Sequence, residues 1–580
     1  MSRSVQAVAV DYDGTLTDTD VPDAAVLEAI RSVRAEGRAV VLVTGRILSE
    51  LRAVFPGVDG EFDAIVAENG AVLADSDGVR NLAAPVDAAL GHVLAQREVT
   101  VRQGRVLLAC KTPHAKVVFE ELMRLGVDGQ VVRNRSELMV LPSGVTKGSG
   151  LVQALGNLGI SRHSTLGVGD AENDHQLLAA CELGAAVANA VPALKEHADL
   201  VLDEPDGAGI VELLTGPVVT GSRRLPPRRW QLVLGYDGER NPVHIPASQQ
   251  NLLLTGGSCS GKSYLAGLLI EQLVALDYSV LVLDREGDHQ SLGDRRGILA
   301  VGDPRRLPSA EELTALLRHR FGSLVIDLSQ HDEHAQQSYL ADVMPAVLAQ
   351  RAVTGLPHWL VLEEAHSLLA DPHPWRGVAD QTSGLCLTTH RPDALPEMLA
   401  DELDVFVLAT GAGHGSEEAT SFVAQQTGSA EHRLTDKLAH GHLGQALVVR
   451  RDGRAPVPFT MGRRSSGHVR HWHKYIDGQL PPSERFYFQP HEDGRVAANL
   501  REFHRILGSC PAPSVARHAR DHDFSSWIRA VLQDLELAQD IAVIERRLRL
   551  EHDGVEEVRD AIRTAIERRY LEATPPPPAR

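Results

Sequence analysis

Cysteine is scarce in this sequence, and the five that occur (Cys110, Cys181, Cys259, Cys386 and Cys510) are scattered without a CxxC pair. Such spacing excludes a disulfide framework and a zinc knuckle. Long apolar runs are missing too, so no membrane-spanning segment is expected, and no signal-like run is completed before Asp11. Positive charge is not in excess. The formal net charge of −19 argues against a basic coat for nucleic acid, while leaving room for a local basic channel. No internal repeat is visible. These absences point to a reducing cytoplasm and away from the membrane. What is there is a chain of 580 residues, 43% hydrophobic and 23% charged, which reads as globular and too long for a single core.

The first two hundred residues alternate short apolar runs with amphipathic stretches: VQAVAV, then DAAVLEAIRSVRAEG, then AVVLVTGR. That is the βαβ pattern of a parallel sheet. Residues 215–230, TGPVVTGSRRLPPRRW, are rich in Gly, Pro and Arg and read as a linker. A second α/β pattern follows, with strands expected at QNLLLTGG, YSVLVLDREGD, GSLVIDLS, HWLVLEEAH and GLCLTTHRP. After about residue 462 the chain turns to helical stretches containing His, Arg and aromatics, ending in the tail TPPPPAR.

Four separated pieces of the first region fit one chemistry. DYDGT sets Asp11 and Asp13 at the C-terminal edge of a strand, where ligands of open α/β sheets bind. VLVTGR supplies Thr44, GVTKGSG supplies Lys147, and LGVGDAENDHQLL supplies Asp170, Asn173 and Asp174. In order and separation these resemble the four motifs of the haloacid dehalogenase-like (HAD) phosphohydrolases, over about residues 5–215. AENGA, VLPSGVTKG and the stretch after GDAEND are similar to the Cof-type, or IIB, branch. That resemblance implies a Rossmann-like parallel sheet with an α+β cap inserted at about 75–142. It also implies Mg²⁺ held by Asp11, Asp13 (through its backbone carbonyl), Asp170 and Asp174. Asp11 would be the nucleophile that forms an aspartyl-phosphate, and Asp13 the general acid and base. Thr44 and Lys147 would hold the transferring phosphoryl group, and Arg102, Arg105 and Arg133 of the cap are candidate contacts to a small phosphorylated metabolite.

The segment LLLTGGSCSGKSYLAGLLIEQL carries Gly256, Gly261, Lys262 and Ser263 between a strand and an amphipathic helix, the setting a P-loop requires. Its amides would curl around a triphosphate, Lys262 would reach the β/γ oxygens and Ser263 would ligate Mg²⁺, making ATP the second ligand. With LVLDREGD, LVIDLSQ, WLVLEEAH and CLTTHRP, the region 226–462 resembles the HerA/FtsK-like ATPases, which implies a RecA-like domain. In that reading Glu364 polarises the attacking water, Glu363 stands where the metal-binding acid is usually Asp, and Thr389 senses the γ-phosphate. His390 occupies a position that is often Gln. Arg391 and Arg450 are candidates for a residue acting in trans, and ring assembly, hexameric in the family, follows from the resemblance.

The expected organisation is an α/β phosphatase domain (1–215), a linker (216–230), a HerA-like P-loop domain (231–462), a small mainly helical accessory domain (463–572) and a disordered tail (573–580). Near the start of the accessory domain, His468, His471 and His473 cluster with Arg470 and Lys474. A polar interface, a metal site and an anion contact all remain open for it. Further on, Asp523 and Ser525 are expected to cap a helix. The leading function is a Mg²⁺-dependent phosphomonoester hydrolase joined to an ATPase in a homo-oligomer. One alternative is a nucleic-acid motor that uses the phosphatase as effector, as in defence or DNA processing. The other is an ATP-gated scaffold with little turnover.

Overall fold

The computed structural model describes residues 5–571 except 135, 258–259, 304–305, 319–321, 372–374, 376–382, 411–415, 439–441, 443, 467–475, 477–479, 481–484, 489–494, 533 and 550–553. The histidine and basic cluster at 468–474, Cys259 and the C-terminal tail therefore lie outside the described residues.

In chain order the first sheet takes β1 (Ala7–Asp11), β2 (Ala39–Val43), β3 (Ala64–Ala67), β4 (Val72–Asp75) and β5 (Gly78–Asn81). An insert follows with β6 (Arg102–Gln103), β7 (Leu108–Lys111), β8 (Gln130–Asn134) and β9 (Glu137–Leu141). The chain then returns with β10 (Thr165–Gly169), β11 (Leu183–Ala186) and β12 (Leu200–Val201). The sheet order is β12-β11-β10-β1-β2-β3-β4-β5. Pairing is parallel from β12 to β3, and β4 and β5 add an antiparallel edge. β1 and β10 are buried along their whole length, as expected of apolar runs covered by helices on both faces. The insert is a four-stranded antiparallel sheet, β6-β7-β9-β8, with its own apolar core around Leu90, Leu108, Val118 and Val140. Residues 75–81, which the sequence assigns to the insert, lie instead in the main sheet, because 72–81 fold back as a hairpin on β3.

The second sheet uses β13 (Gln231–Tyr236), β14 (Pro242–Pro246), β15 (Asn251–Gly256), β16 (Val280–Asp284), β17 (Ile298–Val301) and β18 (Ser323–Asp327). It continues with β19 (Trp359–Leu362), β20 (Leu385–Thr389), β21 (Val405–Ala409), β22 (Gln445–Arg450) and β23 (Val457–Met461). The order is β14-β13-β23-β22-β21-β15-β20-β19-β16-β18-β17. The block from β21 to β17 is parallel, and the other four strands are antiparallel. After it, helices Leu500–Ser509, Ala512–Arg520, Leu535–Arg549 and Val555–Ile566 enclose a core of Phe503, Phe524, Ile541 and Ile562. Asp523 begins a short helix but pairs with His518 at 2.6 Å, and Ser525 bonds Glu545, so neither serves as the cap expected from the sequence. A residue with φ of 59°, His522, holds the cap position without a side-chain capping bond, its Nδ1 instead lying 3.0 Å from Glu545. Among the described residues no helix is long and apolar enough to cross a membrane, and the four described cysteines are free and buried.

The segment 216–230 is packed rather than extended. Val218 and Val219 are buried in the first core, and Arg224 pairs with Glu402 and Asp404 of the second lobe at 3.1 and 2.8 Å. A polar knot sits where the lobes meet. Glu182 accepts from Tyr278, with 2.9 Å to each oxygen, and from Ser248. It also lies 2.6 Å from His163 Nδ1, whose Nε2 donates to the Leu276 carbonyl at 2.7 Å.

Candidate active sites

The parallel topology gathers the first site. β1, β2 and β10 are neighbours and run the same way, so Asp11, Thr44 and Asp170 all emerge at one sheet edge. Lys147 opens the helix Lys147–Leu158, capped by Thr146 and Ser149 in a reciprocal box. That helix is drawn in by close backbone contact. A Cβ on Gly70 (φ +107°) would lie 1.9 Å from the Thr146 carbonyl oxygen, so the AENGA motif is a seat for the lysine. Next to it, Glu68 and Asn69 take φ of 54° and 56°. Each such non-glycine conformation costs on the order of 1–3 kcal/mol. The fully buried Glu68 carboxylate accepts backbone N–H groups of Arg105, Val106 and Leu107 at 2.9, 2.8 and 3.1 Å. Bonds to a charged acceptor contribute about 1.5–3 kcal/mol each, so they offset the strain and tie the insert to the main sheet.

At the centre, Lys147 Nζ lies 2.6 Å from Asp11 Oδ1 and 2.6 Å from Asp174 Oδ1, with all three side chains buried. Burial alone would lower the lysine pKa, but the two carboxylates outweigh it and lift the group above its ordinary value. Asp11 is pushed well up by burial and by Asp174 and Asp170, against the pull of Lys147. Thr15 Oγ1 donates to Asp170 Oδ1 at 3.0 Å. Asp174 spends its second oxygen on the N–H groups of Asp170 and Ala171, both at 3.0 Å. Carboxylate oxygens of Asp11, Asp170 and Asp174 lie within 4.8 Å of one another. Three buried acids facing one ammonium leave negative charge over, which a divalent cation with oxygen ligands would neutralise; the donor set fits Mg²⁺.

Asp13 stands at the rim, gripped by Arg46 through Nε and Nη2 at 2.9 and 2.7 Å to the same oxygen. Thr44 is fully buried, and its hydroxyl accepts from Arg46 N at 3.0 Å. Asn173 reaches Asn69 at 3.3 Å. Arg46, two residues beyond Thr44, escaped the sequence reading, because nothing local marks its pairing with Asp13, 33 positions away. Of the insert arginines, Arg102 is held by Glu50 and Glu137 at 2.7 and 2.5 Å, and Arg105 donates to Asn81 at 2.9 Å.

The second site forms at the same kind of edge, where β15, β19 and β20 end together. Gly261, at φ 94°, turns the loop into the helix Lys262–Ala275. Lys262 Nζ donates to the carbonyls of Gly256 and Gly257 at 3.2 and 2.9 Å. Ser263 Oγ stands 3.4 Å from Glu363 Oε2, so the hydroxyl and the acid expected to share a cation face one another. Glu363 is further held by Thr388 and by buried His289 at 2.6 Å, a partner the sequence reading missed. Burial would raise the pKa of Glu364, but His390 and the nearby Lys262 outweigh that and bring it below the usual carboxylate value. Thr389 Oγ1 lies 2.9 Å from His366 Nδ1. Arg450 donates to the His244 carbonyl at 2.7 Å, whereas the Arg391 side chain is exposed.

Two clusters of charged side chains thus stand at the ends of parallel strands on successive α/β sheets, the first built from Asp11, Asp170, Asp174 and Lys147. The chain belongs to the haloacid dehalogenase-like hydrolases, whose family pattern it matches over residues 8–86 and 106–214. It carries in addition a region, residues 249–348, that matches the central domain of the helicase HerA. A phosphoglycolate phosphatase of Methanothermobacter thermautotrophicus is 34% identical over 219 residues, covering 36% of this chain and 96% of that protein. One from Archaeoglobus fulgidus is 34% identical over 231 residues, covering 36% and 95%. A solved HAD subclass IIB sugar phosphatase is 19% identical, covering 36% of this chain and 98% of that one, with a TM-score of 0.32.

Proposed function

We propose that the first lobe is a Mg²⁺-dependent phosphomonoester hydrolase working through an aspartyl-phosphate, and that the second is an ATP-binding and ATP-hydrolysing domain coupled to it. The observation that carries the proposal is the buried Lys147 bridging Asp11 and Asp174 beside Asp170. Asp11, the main chain of Asp13, and Asp170 would hold Mg²⁺, which when bound neutralises the substrate phosphate. Asp174, with both oxygens already engaged, chiefly steers Lys147.

Asp11 Oδ attacks phosphorus, the ester P–O bond breaks, and Asp13 gives its proton to the leaving oxygen. Asp13 then takes a proton from water, the resulting hydroxide attacks the phosphorus, and the bond from Asp11 to phosphorus breaks to release inorganic phosphate. Lys147 and Thr44 hold the phosphoryl oxygens throughout. The names of the relatives favour phosphoglycolate, or a similarly small phosphorylated acid, as substrate.

In the second lobe Lys262 and Ser263 would hold the triphosphate and its Mg²⁺, with Glu363 as the supporting acid. Glu364 would orient the attacking water and Thr389 would sense the γ-phosphate. Assembly into a homo-oligomeric ring and contact with nucleic acid belong to the same proposal, on the HerA likeness alone. The deciding experiment is a panel of phosphorylated metabolites with Mg²⁺, run with and without ATP. Phosphate release abolished in Asp11→Asn is expected, and activity that survives the substitution would refute the nucleophile. ATP turnover should vanish in Lys262→Ala.

A further inference from the structure

Beside the nucleotide site three side chains converge in a way that neither a phosphatase nor a P-loop requires. β19 and β20 are parallel neighbours, with Leu362 opposite Leu387, so the residues that follow each strand meet at one edge. Glu364, at φ 49°, is fixed by its N–H bond to Thr388 Oγ1 at 3.1 Å. Its Oε2 lies 2.9 Å from His390 Nδ1 and 3.3 Å from His366 Nδ1. The two imidazoles stand edge to face, with centroids 4.7 Å apart at 81°, and one ligand atom from each of the three residues falls within 4.8 Å of the others.

We propose that Glu364, His366 and His390 form a binding site for a borderline transition-metal cation of the Zn²⁺ type, separate from the Mg²⁺ sites, whose occupancy stops ATP turnover. The proposal deepens the ATPase reading of this lobe and rests on it only for the effect on turnover.

Two imidazole nitrogens and a carboxylate oxygen make a donor set that prefers Zn²⁺, Co²⁺ or Ni²⁺ over Mg²⁺, whereas the all-oxygen pair Ser263 and Glu363 suits Mg²⁺. A tetrahedral ion with bonds of about 2.0–2.1 Å needs ligand atoms roughly 3.3 Å apart, close to the separations already present around Glu364 Oε2. The site is open to solvent on one side: the side chains of His390, Glu364 and His366 are 37%, 17% and 13% exposed. An ion there would exchange with the medium and keep a position for water. The consequence follows from electron pairs. A cation bound at Glu364 Oε2 withdraws the lone pair that would orient the attacking water, while the phosphate-binding loop, on another strand, keeps its ligand.

The test uses the full-length protein in excess Mg²⁺, titrated with Zn²⁺ or Co²⁺ against a competing chromophoric chelator, comparing wild type with His390→Gln and His366→Ala. Both variants are first checked for an unchanged metal-free melting temperature. One equivalent is expected to bind wild type tightly and each variant at least ~10–100-fold more weakly, with bound Co²⁺ giving the visible absorption of a four-coordinate N/O site. In parallel, Zn²⁺ should inhibit ATP hydrolysis by wild type and leave the residual hydrolysis of His390→Gln much less affected. Equal affinity in all three proteins, or equal inhibition, would overturn the site. Metal binding lost in both variants, with no ATP turnover in any of the three, would sink the ATPase reading and leave the site standing.

Discussion

Arg46 holds Asp13 with a two-nitrogen grip and lies over the Tyr12 ring at 4.9 Å, so the arginine is itself fixed. In the proposed reaction Asp13 must deliver a proton and later remove one, and general acid–base groups are worth about 10²–10⁴ in rate when correctly placed. Arg46→Ala frees Asp13 to rotate and is expected to lower kcat about 10–100-fold at saturating Mg²⁺, with KM little changed. Arg46→Lys keeps the charge, loses the fork and should fall between. A rise in KM at unchanged kcat would mean that Arg46 binds substrate instead. The reason this residue was not legible in advance applies to the others missed. Asp11, Lys147 and Asp170 carry spacing signals of their own, because each sits at a strand end or helix start. Arg46 and His289 matter only through a partner, Asp13 and Glu363, that lies 33 or 74 positions away. Pairing across such separations is decided by strand order, which no local motif encodes.

At the level of elements, helix Lys262–Ala275 is the one on which the proposed nucleotide site depends, and its far end is pinned by an unexpected neighbour. Glu271 accepts the N–H of Ser465 and of Ser466, each at 2.9 Å, and the hydroxyl of Ser465 at 2.6 Å. Burial alone would raise the carboxyl, but these donors outweigh it and bring the pKa down to about 2. Because the folded value lies below the unfolded one, this clamp contributes stability above the ordinary carboxylate range of about 4.3 and loses it as pH falls toward 2. Glu271→Gln, which removes the charge and one acceptor, should cost about 2 kcal/mol in urea unfolding and speed hydrogen exchange at Ser465 and Ser466. Unchanged exchange would show that the segment is held by something else. The sequence pattern located β1, β2, β15, β16, β18, β19 and β20, since parallel strands buried on both faces appear as plain apolar runs. It misassigned residues 75–81, where the polar edge strand Gly78–Asn81 gives no such run, and it read 216–230 as a linker because Pro and Arg conceal the two buried valines.

On the scale of the whole molecule, the lobes are joined by buried polar groups rather than by a tether, which is what any coupling between the two sites would have to pass through. Removing Glu182 leaves His163 Nδ1 and the Tyr278 hydroxyl with unmet hydrogen-bonding needs, and each buried polar group so stranded costs about 1–3 kcal/mol. Glu182→Ala is therefore expected to split one thermal transition into two, and a single unshifted transition would show that the knot does not join the lobes. The same boundary carries a built-in response to acid. His358 Nδ1 accepts from Ser279 N at 2.8 Å, leaving its Nε2–H to donate to Ser161 Oγ at 3.0 Å. Burial, reinforced by His163 and Arg351, holds the pKa of His358 well below its ordinary value. The unfolded chain takes up this proton near pH 6.5 and the folded chain only at much lower pH. Between those two points the unfolded state binds more protons, so stability must fall as pH drops, by up to about 1.4 kcal/mol per pH unit from this one group. In urea titrations from pH 7 down to 5, His358→Gln keeps an acceptor for Ser279 but has nothing to titrate, and its midpoint should decline less steeply than that of wild type. Parallel curves would assign the acid sensitivity to another group and remove His358 as the pH-responsive joint between the two lobes.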